Sequence, residues 1–537
     1  MKKTQKDSTQ YPHHSQERIC TIFILFVGTI FLLAIPLRGY ITIVDWKYHF
    51  FLIAYVGFII VMAEQRLING RIASKSPCSV DYFLLSVGAY FLVTCMSGML
   101  SKYPGTFWGN DRREGILTIG IYAASTLLLA KYFRPKRLLL GSFGAAITLH
   151  CLIGIIQLFG LNPFALYPDE FNFYDAGIYY MGQYWSTIGN TNLCAALLST
   201  AAGAFSAASI RASRRTDWLA LIPLCLSVFS IIELDSEAGM VALAGGLVLM
   251  PVFVVMTGRH IKNLLLTYGA ISATFAISSA VRFYNGGAAI LLTKQTLIGC
   301  IAAMIFTFCG LLLGRSDIIL HIKASILRKA MAAIAITVVC ATLLLLYTYS
   351  GFPDGFLLQA HNLLHGVWDD SYGSNRIYIW RQVWGLICES PVLGGGPDTL
   401  GLRGLAGFSR YNEATGTVVT ASIDAAHNEY LNIFVNQGIF ALTAYLSAIF
   451  VSIARWWKYA EDNAKAIAGA ASLFYLIQAC FGISMFITAS YFWIALAILN
   501  NKKEGNGRNE HSTKTSRTEP RASHDPHNAA HYCTGRK

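Results

Sequence analysis

The chain has 537 residues, of which 54% are hydrophobic and only 13% charged, and its mean hydropathy is +0.48. Soluble domains carry about 25% charged residues, so the composition excludes a soluble globular protein and describes an all-α polytopic membrane protein. A net charge of +13 would suggest nucleic acid in a soluble chain. Here the Lys and Arg cluster in short loops between apolar runs, where they serve as topology signals, and no nucleic-acid partner is expected.

Runs of roughly 20 apolar residues cross a bilayer as helices, and the chain supplies them repeatedly. The period-2 alternation of an outer-membrane barrel is absent. Residues 1–18 read as a cytoplasmic tail. Cys20–Leu37 is long, lacks a small-residue cleavage site, and reads as a first span rather than a signal peptide. Fourteen spans follow the hydropathy: 19–37, 48–63, 80–100, 115–130, 138–158, 192–210, 217–233, 238–257, 262–281, 288–313, 328–349, 429–454, 466–481 and 484–500. Spans one to eleven thus occupy 19–349 and spans twelve to fourteen 429–500. The last two form a tight hairpin around Gly482, because one helix of their combined length would overrun the bilayer.

The loops orient these spans. With a cytoplasmic N-terminus the inside segments hold Arg66, Arg71 and Lys75; then Lys131, Arg134, Lys136 and Arg137; then Arg211, Arg214 and Arg215. Arg259 with Lys262, the group from Arg315 to Lys329, and Arg455 with Lys458 continue the pattern. The 160–190 segment has no Lys or Arg but holds Asp169, Glu170 and Asp175, as an outside loop should. Both termini are then cytoplasmic, the 350–428 loop is external, and 501–537, polar and without apolar periodicity, is expected to be disordered. The twelve cysteines are scattered without a CxxC pair, and Cys388 alone falls in the long loop. No disulfide is therefore expected within that loop, and no metal or other cofactor is suggested.

Chemistry in a membrane protein belongs where polar backbone is tolerated, in an aqueous loop or a protein-lined cavity. Three polar clusters qualify. GTFWGNDRREG places Arg112 and Arg113 just before the fourth span, on the outside, against the topology rule; anion binding or pairing with Asp111 and Glu114 would account for them. STIGNTNLCAALL opens the sixth span with Asn190 and Asn192, which could bind a sugar and at a minimum cap the helix. The 350–428 loop is the richest. Within it Ile377, Trp380, Trp384 and Ile387 repeat at helical spacing, predicting an amphipathic helix on the outer membrane face that Pro391 and Gly394–Gly396 stop.

Arg376 opens that helix, where its guanidinium could grip phosphate oxygens through two parallel hydrogen bonds or anchor to lipid headgroups. Arg381 follows one turn on as a weaker candidate. His427 and Asn428 stand directly before the twelfth span, where an imidazole can accept a proton from a sugar hydroxyl or simply cap the helix. His361 and His365 have no comparable partner and read as structural.

Together these residues resemble the bacterial O-antigen ligase and polysaccharide polymerase superfamily. The carriers are Arg376 with Trp380, the P-x-x-G-x-G of Pro391, Gly394 and Gly396, and His427-Asn428 with nine residues between it and Gly438. GNTN at 189–192 and GNDRREG, with Arg112 in the arginine position, add to them, so the likeness runs from about residue 100 to 500. Two departures stand out. Ser236-Glu237 occupies the place where relatives have Ser-Arg, which leaves Arg112, Arg113 or Arg282 to replace a donor-phosphate arginine, or a different donor. Ala441 lies three residues after Gly438, where Gly, Thr or Tyr is usual.

The resemblance implies a metal-independent glycosyltransferase acting at the outer face of the cytoplasmic membrane, with 350–428 as its external catalytic loop. Its donor would be a polyprenyl-diphosphate-linked glycan, its acceptor a hydroxyl on a glycan, lipid or protein, and its setting the lipid bilayer. Arg376, Arg112 and, more weakly, Arg381 would stabilise the departing diphosphate; His427 would orient or deprotonate the acceptor. Arg113, Asn428, Asn190 and Asn192 complete the candidate set. Ligase, polymerase and protein O-glycosyltransferase share this architecture. A polytopic transporter or flippase is the rival of another class, but the internal repeats and paired broken spans that it would bring are absent from the sequence.

Overall fold

The computed structural model describes residues 11–36, 39–68, 81–168, 184–285, 294–314, 322–412 and 417–501. Residues 1–10, the acidic 169–183 segment and the tail from Lys502 lie outside them, and with the last the expectation for the C-terminal tail; of the N-terminal tail read as 1–18, residues 11–18 are described and already belong to the first helix. Helix covers most of the described part of each stretch read as a span. In chain order the helices are α1 Tyr11–Phe26, α2 Ile43–Ile68, α3 Tyr82–Met99, α4 Ile116–Tyr132, α5 Arg137–Leu158, α6 Thr191–Ile210, α7 Leu221–Glu233 and α8 Glu237–Leu249. Then come α9 Gly258–Asn285, α10 Lys294–Leu313, α11 Ala324–Thr348, α12 Phe356–Leu364, α13 Tyr372–Glu389, α14 Glu429–Lys458, α15 Asn463–Ala479 and α16 Phe486–Asn500. Among the described residues ten helices are long and apolar enough to cross a membrane, and α4 and α16 are shorter apolar helices.

Side-chain size sorts the bundle into layers. α6 is built from Ala, Ser, Gly and Thr with few large residues, and its membrane window is buried throughout. Small side chains let backbones approach, which is how helices associate where lipid offers no hydrophobic drive. A Cβ on Gly203 would lie 2.5 Å from the Ala470 carbonyl oxygen of α15. α10 and α11, rich in Leu and Ile, are only 17% and 6% buried across their windows and form the lipid-facing periphery.

The 350–428 stretch folds into α12, α13 and a hairpin of β1 Phe408–Asn412 with β2 Thr417–Ala421, paired Phe408 with Ala421 and Tyr411 with Val418. It has a small core of its own, made by Ile379, Val383, Ile387, Leu400, Ile423, Ala426 and Val435. The amphipathic helix is present, but its inner face differs from the predicted stripe. Arg376, Ile379, Val383 and Ile387 are buried, whereas Trp384 is 56% exposed. Ile377 and Trp384 bracket this face rather than form it, because the helix turns its arginine and its β-branched residues inward.

Candidate active site

The site is assembled around an interruption in α14. Gly438 has φ +83° and ψ 179°, a combination that only glycine adopts without strain. A Cβ there would sit 2.0 Å from the Val392 carbonyl oxygen. The break exposes the Val435 and Asn436 carbonyls, which accept from the amides of Gly395 (3.2 Å) and Gly396 (2.7 Å), while the Ile439 amide donates to Pro391 (2.9 Å). The P-x-x-G-x-G segment is therefore a clip closed on the broken helix. Arg403 reinforces it, donating to the Val435 carbonyl at 2.9 Å and the Asn436 side chain at 3.1 Å. Ser97 of α3 ties both strands of the clip through the Leu393 and Asn436 carbonyls.

The same clip captures the arginine loop before α4. The Asp398 carboxylate accepts from the backbone amides of Asn110 (2.6 Å), Arg112 (3.1 Å) and Glu114 (3.4 Å). Burial pushes the Asp398 carboxyl up to about 6 against those donors; burial likewise lifts Glu114 to about 8. With its backbone held, Arg112 reaches Asp424 at 2.5 Å, and its Nε is buried without an acceptor. Asp424 lies three residues before His427.

His427 closes the constellation. It has φ +47°, a left-handed turn that delivers the chain into α14. The preceding strand of chain is held by the Trp380 indole, whose N–H donates to the Ala426 carbonyl at 2.9 Å. Burial first, then the positive charges of Arg376 and Arg112, lower the imidazole to about 4, with Asp424 opposing them. The imidazole is thus neutral at physiological pH and flanked by two guanidiniums. Arg376 is buried, donates to the Gly373 carbonyl at 2.6 Å and the Phe481 carbonyl at 3.2 Å, and faces Glu237 of α8 at 3.7 Å. Burial pulls its guanidinium down and Glu237 holds it up.

Residues 283–446 match a family model described as O-antigen ligase. Over this stretch the chain is similar to the O-antigen ligase superfamily. The matched stretch includes Arg376, the glycine clip, His427-Asn428 and Gly438, but not Arg112 or the GNTN motif. No curated protein and no solved structure matches the chain significantly.

An O-antigen ligase relative with several candidate arginines has to be sorted by geometry. Arg112 and Arg376 converge on His427. Arg113, adjacent in sequence, turns the other way, pairs with Asp45 of α2 at 2.8 Å and lies over the Tyr48 ring. The neighbours Asp111 and Glu114 are not the ion-pair partners of either arginine. Arg381 is five residues beyond Arg376, about 140° around the helix; it pairs with Asp370 and is 65% exposed. The side chain of Arg282 lies outside the described residues. Asn428 caps α14 by accepting from the Leu431 amide at 3.0 Å. Asn190 caps α6 by accepting from Asn192 and Leu193; the Asn192 side chain is half-buried beside it.

Three participants escaped the sequence reading. Asp424, Asp398 and Arg403 lie in loop without periodicity, and only the fold brings them to Arg112, the arginine-loop amides and the helix break. Glu237, visible as a departure from the family pattern, faces Arg376.

Proposed function

We propose that the protein transfers a glycan from a polyprenyl diphosphate to an acceptor hydroxyl, with His427 as base and Arg376 and Arg112 as diphosphate ligands. The observation that carries this reading is a neutral histidine flanked by two guanidiniums at the mouth of a broken membrane helix. The acceptor hydroxyl gives its proton to His427 as its oxygen attacks the anomeric carbon. The bond to the diphosphate breaks, its electron pair leaves with the phosphate oxygen, and the new charge is met by the two arginines. Inversion at that carbon follows from single displacement. Both arginines face carboxylates, and a diphosphate would take over from Glu237 and Asp424. No metal is needed, since the leaving group is already activated.

The reading places fourteen spans in the cytoplasmic membrane with both termini inside and the 350–428 loop outside, as the loop charges require. Purified protein with lipid-linked donor and acceptor tests the chemistry. His427→Ala should lose two to four orders of magnitude in turnover, the usual contribution of a general base, while donor affinity persists. Near-normal turnover would remove His427 from the reaction; equal loss of donor binding would make it a binding residue. Surface-glycan mass spectrometry in a deletion strain separates polymerisation from attachment, by chain length.

A further inference from the structure

A second site lies at the other end of the bundle. Arg211, at the end of α6, donates to the Ala460 carbonyl at 2.6 Å, just beyond the last residue of α14. His427 precedes the first residue of that helix, so Arg211 marks the opposite membrane face. Beside it opens a cavity of about 1000 Å³, far above the water-sized voids that native interiors tolerate. Its walls are mostly apolar, including Phe143, Ala204, Phe205 and Ile494. Apolar cavities do not hold ordered water. Along α5 the lining runs from Arg137 to Leu149, about 18 Å at 1.5 Å per residue. That depth is roughly one leaflet of a hydrocarbon core about 30 Å thick. Leu149, Leu219 and Ile222 line it and are at least half exposed, so the cavity opens sideways to lipid.

Its mouth is cationic. Lys136, Arg137, Arg211 and Arg214 line it, with Asp217 as the countercharge. Asp217 pairs with Arg137 at 3.1 Å and accepts the Ser213 and Arg214 amides, and Lys136 pairs with Glu17 at 3.0 Å. Arg211 and Arg214 meet no carboxylate within ion-pair distance among the described residues. Arg211 is 7% exposed, its Nη1 has only long contacts of 3.4 Å to Glu461 and Asn463, and its buried Nε has no acceptor. Burial and then neighbouring Arg328 lower its guanidinium to about 10, with the more distant Asp462 and Glu461 carboxylates opposing them. The Arg211 Nε, buried without an acceptor, is unsatisfied, and a phosphate monoanion at the mouth would satisfy it.

We propose that this cavity binds an anionic phospholipid, one acyl chain inside the bundle and the phosphate on Arg211 and Arg214. The loop charges put the mouth on the cytoplasmic side, where the leaflet carries negative surface charge. The site is independent of the glycosyl-transfer reading.

Native mass spectrometry of the full-length protein tests it, with phosphatidylglycerol and phosphatidylcholine of matched chains as probes. One phosphatidylglycerol per chain should persist, preferred over phosphatidylcholine about tenfold. Gly141 lines the cavity and a Cβ there meets nothing within 4 Å, so Gly141→Trp should fill the space and expel the lipid. Arg214 is exposed; Arg214→Gln should leave folding intact and reduce the headgroup preference several-fold. Equal retention of both lipids, a preference unchanged in Arg214→Gln, or displacement by millimolar inorganic phosphate would each overturn the proposal.

Discussion

The acid limb of the pH–rate profile should move when donor binds. Burial, Arg376 and Arg112 hold the His427 imidazole at about 4, against an ordinary value of about 6.5. The neutral, proton-accepting form therefore persists well below neutrality, and the acid limb of kcat/KM, which reports the free enzyme, should lie near pH 4. A bound diphosphate neutralises the two guanidiniums, leaving burial as the main force against protonation. At roughly 6 Å a unit charge is worth about 0.7 kcal/mol in water and about 3 kcal/mol at an effective dielectric of 20. The kcat limb, which reports the bound complex, should therefore stand roughly 0.5 to 2 pH units above the kcat/KM limb. Donor binding would thus convert a weak, always available base into a stronger one. Arg112→Gln should raise the kcat/KM limb by the same logic. Stability has a defined sign: a histidine depressed on folding contributes fully above pH 6.5 and loses that contribution as pH falls towards 4, up to about 3 kcal/mol. Steady-state rates from pH 3.5 to 8 with purified donor decide the matter. A kcat limb at or below the kcat/KM limb, or a free-enzyme limb near 6.5, would refute the reasoning.

Arg376→Lys should cut turnover at least tenfold with normal membrane abundance, because lysine keeps the charge and loses the planar fork; near wild-type turnover would reduce Arg376 to a lipid anchor. Glu237→Gln should lower the donor KM several-fold, since a carboxylate 3.7 Å from Arg376 competes with phosphate for it; a raised KM would mean that Glu237 recruits substrate instead. Gly438→Ala should cost at least about 1–3 kcal/mol through backbone strain alone, with a further clash against Val392. A thermal melt and a turnover assay would register both, and a neutral outcome would show that the helix break is dispensable.

The spans were legible in the sequence because each satisfies a length and hydropathy requirement of its own. Fine geometry was less so. The inner face of α13 was misplaced by its aromatic residues: Trp384 looks like a buried anchor, yet at a lipid or water boundary an amphipathic ring is as stable outside. Arg376, His427 and the glycines stood out through a spacing that resembles the family's, and Gly438 and Gly394 are positions where a side chain would strike backbone. Asp398 and Asp424 were not, because loop carboxylates become functional only through contacts nearly 300 residues or more away in sequence, here with Asn110 and Arg112.

Glu237 shows how the two kinds of information combine. From sequence it marks the loss of a family arginine; in the fold it stands 3.7 Å from Arg376 at the N-terminus of α8. That helix end already favours negative charge, and an anion placed there gains from the amide dipoles whether it is a carboxylate or a phosphate. The separation is long compared with the 2.7–2.9 Å of a strong charge-assisted bond, so Glu237 screens Arg376 without locking it. A donor diphosphate approaching Arg376 would inherit both the guanidinium and the helix end, and Glu237, 35% exposed at its side chain, can swing into water as it does. On this view the substitution replaces a third positive charge with a displaceable counterion, trading tighter donor binding for easier release of the polyprenyl diphosphate product.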